Sequence, residues 1–125
     1  MRKRFLCLIF LPLLLGGCTG MLTNLTPQQQ VRNPTNLYPV EVALSSRQQT
    51  MRWQSIRPQI LVGKETYPMT ATPLMTNRWE GMIPAPAGAN VLHYKYRFDF
   101  DYNAFGKPQQ DSLTSPEYML RIVDQ

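Results

Sequence analysis

Few side chains in this 125-residue chain have the type and spacing to do chemistry. Asp99, Asp101 and Asn103 alternate along the run Asp99-Phe100-Asp101-Tyr102-Asn103-Ala104-Phe105-Gly106, and alternate oxygens can converge on a hard cation. An EF-hand loop, however, needs glycine at its sixth position and a bidentate glutamate at its twelfth, where this run has Ala104 and Gln110. Only one histidine is present, His93, so no second imidazole can complete a metal site. Nucleophilic catalysis has as little to work with, because no Gly-x-Ser-x-Gly elbow occurs and His93 falls on the polar side of an alternating run, beside Lys95. Glu80 with Asp99 or Asp101 is the one carboxylate pairing that a glycosidase reading could use. A small domain rarely holds the deep cleft such a pair requires, so no enzyme, cofactor or metal is expected. Aromatic rings offer a different chemistry. Trp53, Tyr67 and Phe105 lie near turns, where exposed rings can stack on sugar faces or anchor a protein partner. Trp79 alternates with Ile83 and reads as core, whereas Trp53 reads either as core or as contact.

The strongest signal lies at the beginning of the chain. Met1-Arg2-Lys3-Arg4 is basic, and Phe5 to Leu15 is apolar with Pro12 as its one interruption. This run is too short to cross the hydrocarbon layer, which takes about 20 residues, and suits the apolar segment of a signal peptide. The next stretch, Leu15-Gly16-Gly17-Cys18, resembles the lipobox of bacterial lipoproteins. Small residues before the cysteine let the backbone enter a protease cleft, and the thiol then carries the lipid. The resemblance implies signal-peptidase recognition at Leu15, Gly16 and Gly17, removal of residues 1–17, and acylation (palmitate) on Cys18. Each buried CH₂ of the acyl chains contributes about 0.8 kcal/mol to membrane binding. Thr19, rather than aspartate, follows the cysteine. In a Gram-negative lipoprotein that implies the outer membrane; otherwise the implied place is a lipid-anchored position in the cell envelope.

Removing the signal also changes the charge. The 13 basic and 8 acidic residues give a net +5, but Arg2, Lys3 and Arg4 leave, so ten basic side chains face eight acidic ones. The ten are scattered, and a nucleic-acid interface needs them clustered, so no nucleic acid is expected as a partner. Cys7 leaves as well, and an acylated Cys18 means that the domain has neither a free thiol nor a disulfide.

The elements that must position any site read as strands. From Val91 to Tyr102 the residues Leu92, Tyr94, Tyr96, Phe98, Phe100 and Tyr102 share one face, opposite His93, Lys95, Arg97, Asp99 and Asp101. Shorter alternations follow Tyr38, Val40, Val42 and Leu44, then Ile60 and Val62, then Trp79, Gly81 and Ile83, then Tyr118, Leu120 and Ile122. Frequent prolines argue against long helices, although 45–57 lacks breakers and reads as a place for a short one. Residues 19–36 are polar and aperiodic, with one capping-box turn at Thr26-Pro27-Gln28-Gln29. The expected organisation is a signal peptide over 1–17, a lipidated cysteine and flexible tether over 18–36, and one all-β domain over 37–125. The expected fold is an immunoglobulin-like, two-sheet antiparallel sandwich of about seven strands.

Arg78-Trp79-Glu80-Gly81-Met82-Ile83-Pro84, Tyr94-Lys95-Tyr96-Arg97-Phe98 and Ser115-Pro116-Glu117-Tyr118 are similar to late strands of immunoglobulin-like domains in bacterial envelope and carbohydrate-active proteins. With the lipobox, the chain looks like a small bacterial lipoprotein. That likeness implies a fold, and a fold does not assign a function. The function expected is a membrane-anchored, non-catalytic module that binds or supports another envelope protein. A glycan- or peptidoglycan-binding module is the alternative, and a small hydrolase the remote one.

Overall fold

The computed structural model describes residues 20–124. Leu15, Gly16, Gly17 and Cys18 lie outside the described residues. Ten strands follow one another: β1 (Met21–Asn24), β2 (Gln29–Val31), β3 (Leu37–Ser45), β4 (Met51–Val62), β5 (Glu65–Pro68), β6 (Thr70–Ala71), β7 (Arg78–Pro84), β8 (Val91–Ala104), β9 (Lys107–Thr114) and β10 (Tyr118–Val123). One sheet has the order β1-β3-β7-β6, and the other β2-β10-β8-β4-β5 with β9 also paired to β8. The domain is an all-β sandwich. No helix among the described residues is long and apolar enough to cross a membrane.

Strand β8 organises the core because its alternation is nearly unbroken. Leu92, Tyr94, Tyr96, Phe98 and Phe100 are buried, and Tyr102 is half-buried. Across the sandwich they meet Tyr38, Val40, Val42 and Leu44 of β3, with Trp79 and Ile83 of β7. The Trp79 and Phe98 rings meet at 5.1 Å and 88°, an edge-to-face geometry favoured by the ring quadrupoles. Trp79 is therefore core. Gly81 sits between Trp79 and Ile83, where a Cβ would come 2.9 Å from Ile60 Cδ1 and 2.9 Å from the Pro68 carbonyl oxygen. The missing side chain is what lets β7 approach the β4–β5 hairpin so closely.

Both flanks of β8 contain a break bridged by a serine. On one side β4 changes register between Arg52 and Arg57, and Ser55 Oγ accepts the Asp101 N–H at 2.8 Å. On the other, β9 and β10 share the same edge of β8 and are separated at Ser115. There the Ser115 Oγ accepts the Tyr96 N–H at 2.8 Å, and the Ser115 N–H donates to the Tyr96 carbonyl at 2.9 Å. Each hydroxyl replaces a backbone acceptor that the ladder lost, so neither the Tyr96 nor the Asp101 amide is left unpaired.

Three sequence expectations need correction. There are ten strands rather than about seven, and β2 pairs with β10 in parallel, so the second sheet is mixed rather than antiparallel. The 45–57 stretch is not helical, since β4 begins at Met51. Finally, the described part of the expected tether over 18–36 is built into the sandwich. Strand β1 pairs with β3 from Met21↔Ser45 to Asn24↔Val42, and the expected helical turn at Thr26 is a crossing from β1 to β2.

The reason lies in the inward tyrosines. A buried phenol needs a hydrogen-bond partner, and residues 24–26 supply it. Tyr96 donates its hydroxyl to Asn24 Oδ1 at 2.7 Å, while Asn24 Nδ2 donates to the Tyr94 oxygen at 2.9 Å. Thr26 Oγ1 accepts the Glu41 N–H at 2.9 Å and lies 3.1 Å from the Tyr96 hydroxyl. Burial pushes the Tyr96 phenol far above its usual range.

Candidate functional site

The three rings singled out in the sequence are not brought together as one platform. Tyr67 lies on β5 opposite Ile60 and packs partly buried against the core. Trp53 is carried outward by the irregular stretch of β4 and stays 39% exposed. Its ring lies parallel to Trp79, 6.5 Å away at 10°, so one face of the indole is backed by core. Phe105 stands alone at the tip of the β8–β9 hairpin, fully exposed. Its φ is +53°, and Gly106 follows at +77°, so the two-residue turn has the backbone of a type I′ hairpin. Asparagine or glycine usually fills such a position, because an L side chain there costs about 1–2 kcal/mol.

The acids expected to pair are likewise separated. Alternation places Asp99 and Asp101 on the outer face of β8, in the second sheet, while Glu80 faces outward from β7 in the first. The sandwich core lies between them. Asp99 instead meets Arg97 at 3.0 Å, and Asp101 meets Arg57 at 3.4 Å. His93 is exposed on that same outer face, with Nδ1 3.7 Å from Glu117.

What the tertiary structure does assemble is an open groove of 580 Å³ on the outer face of β3 and β7. Residues 25–31, crossing from one sheet to the other, form one wall, with Leu25, Thr26 and Gln30. Gln30 Nε2 holds this wall by donating to the Pro39 carbonyl at 2.9 Å. The floor carries Glu41 and Glu80 directly opposite each other on neighbouring strands, with Met82 half-exposed beside them. Like charges in directly opposed positions destabilise a sheet. Arg78, 3.9 Å from Glu41, offsets only part of this. The groove can therefore accept an apolar side chain on Met82 and a cation or hydrogen-bond donor between the two carboxylates. Of its residues, only Glu80 stood out in the sequence as a candidate for chemistry, and in another pairing. Glu41 was legible as an outward residue of an alternating strand, but nothing in the sequence reveals that β3 and β7 are neighbours in that register.

Neither a protein-family model nor a curated protein matches the chain. Among solved structures it is similar to a DUF4785 family protein from Legionella pneumophila, at 9% identity and a TM-score of 0.44. The match covers 81% of this chain and 27% of that protein, so this chain spans just over a quarter of its length.

Proposed function

We propose that this chain is a lipid-anchored bacterial envelope lipoprotein whose immunoglobulin-like domain is a non-catalytic module for binding another envelope protein. The anchor rests on Leu15-Gly16-Gly17-Cys18, which would place the domain in the cell envelope, at the outer membrane in a Gram-negative cell. The groove over β3 and β7 carries the binding role. It keeps two unfavourably opposed carboxylates and an exposed methionine on one concave face, a combination that costs stability unless something else uses it. The partner this face suits is an extended protein segment with an apolar side chain and a lysine or arginine.

Cross-linking of the full-length protein in cells, with a Cys18→Ala control, tests both halves of the reading. A specific partner is expected, reduced when the anchor is removed and lost in Met82→Asp with the domain still folded. Cross-links to abundant bystanders alone, unchanged by Met82→Asp, would sink the binding role. Glycan binding retains one candidate ring, Trp53, whose indole lies parallel to Trp79 and is partly exposed. Co-purified glycan strands that depend on Trp53, without a protein partner, would favour that reading instead.

A further inference from the structure

Four segments of the chain leave the sandwich at the same end. Strand β1 begins there, with Met21 opposite Ser45 at the end of β3. Residues 46–50 lead from that point into β4, and the Thr50 carbonyl accepts the Asn103 N–H at the top of β8. The β8–β9 hairpin turns just beyond, with Ala104 opposite Lys107. The 72–77 loop completes the end, since its Asn77 carbonyl accepts the Leu44 N–H.

This end displays apolar side chains without cover. Leu74 and Phe105 are the two most exposed large apolar residues described, at 103% and 104%. Both hold a positive φ, at +65° and +53°. Met21 is 66% exposed and Met75 39%. The adjoining charges are mainly positive: Arg47, Arg52 and Lys107, with Arg78 paired to Glu41 and Asp101 paired to Arg57. Gly20 lies at the Ser45 end of β3, where a Cβ would come 3.1 Å from the Ser45 carbonyl oxygen and 3.2 Å from Leu113 Cδ1. The β8–β9 hairpin projects from there, since Leu113 pairs with Phe98, seven residues before Phe105. Cys18 is two residues before Gly20, so its Cα is within about 7 Å of that of Gly20 even in an extended chain.

From this we infer that the end bearing Leu74 and Phe105 is a docking face for the bilayer itself, with the loop tips entering the interface of anionic phospholipid. The inference rests on the lipid anchor proposed at Cys18. Because residues 21–31 are committed to the sandwich, there is no long tether, and a lipid on Cys18 turns toward the membrane the side on which β1 begins and beyond which the β8–β9 hairpin projects. Apolar tips enter the headgroup boundary, and basic side chains around them meet phosphate. The groove over β3 and β7 is then displayed on the flank, facing along the membrane.

The test uses the full lipoprotein, purified with its lipid and reconstituted in vesicles of phosphatidylethanolamine and phosphatidylglycerol. Single cysteines at Phe105→Cys, Leu74→Cys and, at the opposite end, Ala87→Cys carry an environment-sensitive fluorophore. Emission from positions 105 and 74 is expected to shift to the blue and to be quenched by nitroxide on the acyl chains, while position 87 stays unquenched. Probes at 105 and 74 that remain water-like on a protein whose Cys18 carries lipid overturn the docking face alone. A blue shift without lipid quenching also overturns it, and assigns the end to a protein partner or a second copy. Intact-mass measurement that finds Cys18 unmodified, with the protein free of vesicles, removes the anchor and the docking face together.

Discussion

Two groups of large side chains in this domain are treated in opposite ways. Along the inner seam, Tyr94, Tyr96 and Phe98 are covered by the facing sheet, and each phenol oxygen reaches Asn24. At the end where β1 begins, Leu74 and Phe105 stand in solvent on backbone that disfavours them. The seam uses aromatic rings for stability; the exposed end keeps apolar groups despite a stability cost. Residue type does not separate the two groups, since both contain phenylalanine. What separates them is whether another element lies across the face from which the side chain projects.

The contrast is sharpest when one phenylalanine from each group is changed. Phe98→Ala is expected to cost about 3–5 kcal/mol in urea unfolding, from lost burial and the cavity left behind. Phe105→Gly is expected to gain about 0.5–1 kcal/mol, because relief of the positive φ outweighs the added freedom of glycine in the unfolded chain. Equal losses at both positions would mean that Phe105 is structural, and the comparison would collapse.

Next in size is Asn24→Ala, which strands the Tyr94 hydroxyl inside the sandwich and leaves the Tyr96 hydroxyl only the Glu41 carbonyl at 3.2 Å and Thr26 Oγ1 at 3.1 Å. Its expected cost is about 1–3 kcal/mol, the desolvation penalty of buried groups without partners. An unchanged unfolding midpoint would return this segment to the role of a tether.

The smallest effect is a dependence on alkaline pH. Tyr96 ionises less readily in the folded protein than in the unfolded chain, because burial disfavours the phenolate. Its contribution is fully present below the ordinary tyrosine value of 10.0 and is lost as pH rises beyond it, where the unfolded chain releases the proton first. Stability measured above that pH should fall for the native chain and fall less steeply in Tyr96→Phe. Parallel slopes would show that other groups govern the alkaline limit.

The strands were legible wherever alternation was long. Along β8 the expected inward set is the buried set as far as Phe100, and Tyr102 is half-buried only because the strand there is leaving the core. Trp79 was legible as core through its spacing from Ile83. The short strands β1 and β2 were not, because four and three residues are too few to establish a period. Thr26 illustrates the loss most clearly. Its local sequence has the form of a helix cap, yet its hydroxyl lies beside Tyr96, seventy residues away.

By itself the sequence determined the strand-rich character of the domain, the two faces of its longest strand and the lipobox-like stretch at Cys18. These depend on residues close together in the chain, so a local pattern is sufficient. The tertiary structure decided that Glu41 and Glu80 share a groove, that Asp99 and Asp101 lie on the other side of the core, and that residues 24–26 close the tyrosine seam. It also decided that Leu74 and Phe105 leave from the end where β1 begins. Each of those depends on which strands become neighbours and in what register. That choice is made by burial summed over both sheets, and no local stretch of sequence contains it.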